Sequence, residues 1–377
     1  MKILLAPDSY KGSLSAKEAC DAMERGVLKA IQDVEIIKAP MADGGEGTMQ
    51  SLIDSLGGTI VKCKVKNPLG DIIVANYAIL YNGIAVIEMA EASGLTLIGK
   101  EQRNPLITST FGTGELIKDA LDHGCRNFII GLGGSATNDC GAGMAQALGF
   151  RILNKENQQI EYGGVGLSDT DRIDISRADS RIFESQFTIA CDVDNILCGE
   201  NGASYVFGPQ KGATPEICAI LDRNINNFAT VIERDMNIQV KFIAGAGAAG
   251  GLGAGMIAFL NANLKAGADI VIEATQFKQK LRGADLVITG EGSCDSQTIK
   301  GKTPYGVAKT AKTMGIPTVI ITGNIGKGTE ILYQHGVVGI FTLVNGVITL
   351  NDAMKNASIL LEDATERTVR CLAFFMK

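Results

Sequence analysis

Seven short apolar runs in this chain, KILLA, EIIKAP, FIIG, FTIA, KFIAG, DLVITG and PTVIITG, each break off into a loop of glycines, carboxylates and small hydroxyls. Runs of this length bounded by turn residues read as buried, mostly parallel strands. The fold class expected is therefore α/β. Ligands of open α/β sheets bind where such strands end. Here that edge is rich in backbone N–H donors and acidic side chains, the materials for binding a polyphosphate and its metal. The pattern predicts a small-molecule enzyme that handles phosphate.

The rhythm of the runs divides the chain. Residues 1–60 read β-α-β-α, with a helix over Ala16–Ala30 that carries Ala19, Met23, Val27 and Ala30 on one face, then a second helix ending at Leu56. Three strand-like segments, IVKCKVKN, DIIVANYAILYN and GIAVIEM, follow without intervening helices and mark a boundary near residues 60–70. The βα alternation returns with a helix after Thr113, a strand at 128–131 and a helix at 143–148, and residues 154–185 read as a polar surface excursion. From Ala284 the pattern is again strictly β-α, with helices near 305–314 and 329–335 and a final helix. The expected organisation is a discontinuous Rossmann-like domain, residues 1–65 plus 283–377, whose parallel sheet is formed by both chain ends. A second α/β domain, 66–282, is inserted, and the active site is expected in the interdomain cleft.

At 377 residues with a formal net charge of -6, the chain has no broad basic surface for nucleic acid. Its 46 glycines cluster after the apolar runs, as tight turns and close backbone approaches require, and not in a linker-like tract. Nine cysteines without a CxxC pair suggest reduced thiols and a cytoplasmic protein. Cys294 lies in a polar loop and reads as a small filler residue. The N-terminal MKILLAPDSY is interrupted too early by Asp8 for a signal peptide, and no apolar stretch approaches the roughly 20 residues of a membrane span.

Several loops carry the chemistry. GLGGSATND, 131–139, follows a strand, and its consecutive amides form an anion nest to which Ser135 and Thr137 add hydroxyls. DSYKGS places Asp8 and Lys11 in the first βα turn, a point charge for an anion beside a carboxylate that could orient a hydroxyl or a metal. ADGGEG sets Asp43 and Glu46 around Gly44 and Gly45. DVDN and EGSCDSQ put Asp192, Glu291 and Asp295 at strand ends, hard oxygen donors that suit Mg²⁺ rather than zinc. PQKG and GKTP add Lys211 and Lys302; GKT here lacks the first glycine of a Walker A loop, since position 296 is serine. GAGAAG, 245–250, matches a dinucleotide fingerprint after KFIAG, with Glu273 ending a later apolar run, and leaves an NAD(P)-dependent oxidoreductase of a small hydroxy acid as one alternative. A non-catalytic nucleotide-binding protein is the other. The only histidines, His123 and His335, sit at helix ends before glycines, and no GxSxG elbow is present.

The order DSYKGSLSA, ADGGEGT, IEMAEASGL, TFGTGELI, GLGGSATNDCGAGMAQALG, DVDN, GPQKGA, GAGAAGGLGAG and LVITGEGSCDSQTIKGKTPYGVA closely resembles the type I glycerate kinases over nearly the whole chain. Two positions depart from that pattern: Cys140 stands where the family often has glycine, and Ser293 and Cys294 fill positions usually basic or aliphatic. The resemblance implies ATP-dependent phosphorylation of D-glycerate, with ATP and Mg²⁺ as cofactors and 2-phosphoglycerate slightly favoured over 3-phosphoglycerate. D-glycerate is then the small-molecule partner, no nucleic acid or membrane is expected, and a homodimer is left open. On this reading Gly133, Gly134, Ser135, Ala136, Thr137, Asn138 and Lys211 meet the nucleotide. Asp192 is the leading base or metal ligand, Glu291 and Asp295 support the metal, and Asp8 and Lys11 act in catalysis. Ser9, Asp43, Gly44, Gly45, Glu46 and Lys302 bind substrate.

Overall fold

The computed structural model describes residues 1–45 and 47–375; Glu46 lies outside the described residues. In chain order its strands are β1 (Lys2–Leu5), β2 (Glu35–Lys38), β3 (Gly58–Lys66), β4 (Ile72–Leu80), β5 (Ile84–Glu88), β6 (Asn127–Gly131) and β7 (Arg151–Leu153). There follow β8 (Arg172–Asp174), β9 (Gln186–Ala190), β10 (Asn263–Lys265), β11 (Leu286–Cys294), β12 (Thr318–Ile325) and β13 (Val337–Thr342).

One compact unit comprises Met1–Asp43, Gln50–Gly57 and Ala266–Lys377. Its sheet runs β13-β12-β11-β1-β2 with every neighbouring pair parallel, so the first strand lies inside the sheet between β2 and the three strands from the far end of the chain. Successive side chains of a strand point to opposite faces. Val319 and Ile321 accordingly join one core with Ile3, Met23, Val27 and Leu361, and Ile320 joins another with Cys294, Ala308 and Leu332. The first core is roofed by helices Ala16–Ala30 and Ala357–Phe375. Ser15 and Glu18 close a capping box that starts the former helix. The two helices cross at Gly26, where a Cβ would stand 2.3 Å from the Glu362 carbonyl oxygen.

The other compact unit comprises Gly44–Met49 and Gly58–Lys265. Its sheet order is β10-β9-β6-β5-β4-β3, parallel from β10 to β5 and antiparallel from β5 to β3. Phe128, Phe187, Phe228 and Phe259 are buried in one continuous core. The polar stretch expected as a surface excursion contains β8, paired antiparallel with β7, and buries Ile160, Leu167, Ile173 and Ile182. The division falls at residue 58 and again at 265–266, where the sequence suggested 65 and 282. The reason is local pairing: β3 zips to β4 over nine positions, from Gly58 to Lys66, and goes with its partner.

Six of the seven apolar runs are strands. KFIAG is not; it forms turns, with Phe242 82% exposed. Glu273 likewise lies in a helix, Gly267–Ala274, and not at a strand end. The 329–335 segment is a 3₁₀ helix, and the final helix is two, Leu350–Lys355 and Ala357–Phe375.

Candidate active site

In the first unit, the carboxyl ends of the parallel strands ring a cavity of about 670 Å³. After β1 the chain turns through Asp8, Ser9, Tyr10 and Lys11, and after β2 it reaches Asp43. Tyr10 is 2% exposed and its hydroxyl donates to the Ile321 carbonyl at 2.6 Å. Gly290 makes room for it: a Cβ there would lie 2.3 Å from the tyrosine oxygen and 2.0 Å from the Ile321 oxygen. The turn is thus pinned to the neighbouring strands, and its charged residues face the cavity.

Asp8 is 6% exposed and accepts hydrogen bonds from the Ser9 amide at 2.6 Å and the Thr303 hydroxyl at 2.6 Å. Burial, reinforced by Asp43 and Glu291, pushes its carboxyl up from 3.8 to about 7, against the pull of those two hydrogen bonds. Lys11 Nζ stands 3.4 Å from Asp43 Oδ2, with 69% of the lysine side chain exposed. Burial disfavours its ammonium, but Asp43, Asp8 and Glu291 together outweigh that and raise its pKa. Glu291 is 8% exposed, accepts the Thr298 hydroxyl at 2.8 Å and pairs with Lys302 at 3.5 Å. Burial raises the Glu291 carboxyl, with Lys302 and Thr298 opposing. A buried carboxylate poised near neutrality, beside two lysines, is the arrangement of a general base next to a site for negative charge.

Of the residues expected in catalysis, substrate binding or metal support, Asp8, Ser9, Lys11, Asp43, Glu291 and Lys302 line this one cavity. Asp295 does not: its carboxylate accepts the Gln297 amide at 2.8 Å, closing a local turn. Sequence reading missed Tyr10, Thr298 and Thr303, although Thr303 directly follows Lys302 in the GKTP segment. It also missed the wall formed by Leu343, Val344, Ile348, Leu350 and Met354, which no motif marks.

In the second unit, Gly44, Gly45, Gly133, Gly134, Ser135, Asp192 and Gln210 line a cavity of about 210 Å³. Gly44 has φ +84°, and a Cβ at Gly131 would meet the Gly44 oxygen at 2.6 Å, so both glycines are needed for the two loops to approach. Asp192 is half-buried at the end of β9, and Asp194 is exposed. The rest of the expected nucleotide loop is turned inward. Ala136, Thr137 and Asn138 are buried, and the Ala136 amide is already given to the Ser93 carbonyl at 2.9 Å. Thr137 Oγ1 and Asn138 Oδ1 are buried with no hydrogen-bond partner among the described residues.

Lys211 lies beneath the loop. It is 1% exposed, and its ammonium donates to the Thr137 carbonyl at 2.7 Å. Burial pulls its pKa down to about 7, with the Asp139 carboxylate opposing. Asp139 in turn accepts from the Thr110 amide and hydroxyl at 2.8 and 2.9 Å and from the amides of Gly141 and Gly143. Lys211 and Asp139 therefore brace the turn from behind. The 245–250 segment braces it too: a Cβ at Gly250 would stand 2.0 Å from the Thr137 carbonyl oxygen. Since no strand precedes GAGAAG and its glycines serve this packing, the dinucleotide reading fails.

Among the described residues, no three His, Cys, Asp or Glu side chains group closely enough to hold a metal by themselves. No described helix is long and apolar enough to cross a membrane. All nine cysteines are free.

A family model described as the glycerate kinase family matches residues 3–373. The chain belongs to the glycerate kinase family. It is 50% identical to a glycerate kinase of Bacillus subtilis, with 100% of this chain and 98% of that protein covered. It is 51% identical to a glycerate kinase of Halalkalibacterium halodurans, with 96% of each covered. To the glycerate 2-kinase of Escherichia coli it is 44% identical, covering 100% of this chain and 99% of the relative. The crystal structure of a Salmonella typhimurium LT2 protein labelled glycerate kinase 2 matches with a TM-score of 0.91 at 46% identity, covering 100% of this chain and 99% of that one. Cys140 has φ +51° and is fully buried, so this chain holds a side chain in the backbone region that glycine enters without strain.

Proposed function

We propose that the protein transfers the γ-phosphoryl group of ATP to a hydroxyl of D-glycerate, giving phosphoglycerate and ADP, with 2-phosphoglycerate favoured over 3-phosphoglycerate. Membership of the family supports the reaction, and the name of the 44% identical relative, glycerate 2-kinase, supports the position. The observation that carries the chemistry is that the buried Asp8 carboxyl lines one cavity with Lys11, Asp43, Glu291 and Lys302, where burial, reinforced by Asp43, raises it to about 7. Asp8 takes the proton from the attacking hydroxyl, the hydroxyl oxygen bonds to the γ-phosphorus, and the bond to the β-phosphate oxygen breaks to release ADP. Lys11 and Lys302 neutralise charge on the group in transfer. Ser9 and Asp43 hold Asp8 and Lys11 in place.

The amides of Gly133, Gly134 and Ser135 suit a small anion, phosphoryl or carboxylate. Mg²⁺ typically takes one or two carboxylates and completes its shell with substrate phosphates and water. The scarcity of clustered protein ligands fits that habit, with Glu291, at the cavity of the first unit, as a carboxylate that would hold it. The ion would neutralise phosphate charge. The free cysteines support a cytoplasmic location.

The test is ADP release from ATP and Mg²⁺ with and without D-glycerate, followed by NMR of the product. Glycerate-dependent ADP release and a phosphate on O2 are expected. Nucleotide binding without turnover would instead leave a non-catalytic nucleotide-binding protein.

A further inference from the structure

The cavity of the first unit is larger than a three-carbon acid needs. At about 670 Å³ it falls within the roughly 300–1,000 Å³ of pockets that bury drug-sized ligands. Its walls differ in character. One side carries Asp8, Lys11, Asp43, Glu291 and Lys302, and the other is aliphatic. On that aliphatic side Ile348 is 42% exposed, Leu350 77% and Met354 36%. Clustered apolar side chains left open at a cavity mark a ligand or partner surface. Gly292 of β11 and Gly323 of β12 also line the cavity.

The two sides also abut. A Cβ on Gly12 would come within 2.8 Å of Met354 Cε, so the aliphatic wall begins where the Lys11 turn ends. A ligand that fills this space has an apolar end against the aliphatic wall and an anionic end beside the lysines. The cavity of the second unit is smaller, about 210 Å³.

We propose that Leu343, Val344, Ile348, Leu350 and Met354 form the seat of the donor's purine base, with the phosphates directed toward Lys11 and Lys302. This rests on the reading of the protein as an ATP-dependent kinase, and the experiment separates the two. Leu350→Ser and Met354→Gln alter exposed side chains, so the double variant keeps its fold, checked by an unchanged melting temperature. Titrations use a fluorescent ADP analogue, displaced by adenosine on one arm and by inorganic tripolyphosphate on the other.

The double variant is expected to bind the ADP analogue at least tenfold more weakly and to lose adenosine competition, while tripolyphosphate competition and the KM for D-glycerate stay within about twofold. ADP affinity unchanged within twofold overturns the proposal. So does an equal loss for tripolyphosphate, or a shift in sedimentation with no change in nucleotide binding, which would make the wall a contact between copies of the chain. Wild-type protein that binds ADP through this wall but releases none from ATP with glycerate would sink the kinase reading and leave the base site standing.

Discussion

Asp8 joins two roles that conflict. Its carboxyl is raised in the folded protein, from 3.8 to about 7, chiefly by burial. A raised acid stabilises the fold below its unfolded pKa, and that contribution is lost as pH climbs through about 7. Each pH unit between the two values costs about 1.4 kcal/mol. Asp8→Asn keeps an acceptor for the Ser9 amide or the Thr303 hydroxyl but cannot ionise. Its stability relative to wild type should therefore improve steadily from about pH 4 to 7 and level off above. Urea midpoints across that range check it, and parallel pH dependences in the two proteins would show that Asp8 does not carry the shift. The same substitution should lower kcat by about 10²-fold or more while leaving nucleotide affinity within a few-fold, because a general base acts on the acceptor hydroxyl. In the wild type, kcat/KM should rise with pH through about 7. The Asp8–Lys11 turn itself was legible in the sequence. Thr303 as the partner of Asp8, 295 residues away, was not, because no local pattern records which hydroxyl a distant strand end will meet.

At the scale of elements, the loops depend on glycines for two separable reasons. Gly250 has φ +70° and also lies against the Thr137 carbonyl, where a Cβ would stand at 2.0 Å. Gly199 has φ +89° with nothing within 4 Å of a Cβ. Gly199→Ala should thus cost only the left-handed backbone, roughly 1–2 kcal/mol. Gly250→Ala should cost more, about 3–5 kcal/mol, since strain and a backbone clash add. It should also weaken anion binding at Gly133–Ser135 by displacing the turn beneath. Equal losses in the two variants, measured by chemical unfolding, would remove the clash as a cause. KFIAG misled for a related reason. Its apolar residues have the composition of a buried strand, yet Phe242 is open to solvent and the chain turns there to bring the glycine segment onto residues 137–140.

At the scale of the whole molecule, the two units differ in how the chain supplies them. Gly58–Lys265 is continuous and holds its own core, whereas the other sheet places β1 between β11 and β2. A fragment spanning Gly58–Lys265 should unfold cooperatively in urea. A fragment spanning Ala266–Lys377 should not, because it lacks β1, β2 and the Ala16–Ala30 helix that roofs its core. Circular dichroism of each decides it, and a cooperatively folded Ala266–Lys377 would contradict the account. Sequence alone determined the α/β class, nine strands (six of the apolar runs and the three strand-like segments after them) and the Ala16–Ala30 helix, because apolar periodicity acts over a few positions. It also identified the charged residues of β1, β2 and β11 that meet in one cavity, since parallel strands present their ends on one edge. Only the tertiary structure decided that Lys211 points inward under the loop, that Asp295 closes a turn, and that residues 343–354 wall the site. Those outcomes depend on the signs of φ in a few loop residues and on contacts between segments hundreds of residues apart, and neither leaves a periodic trace in the chain.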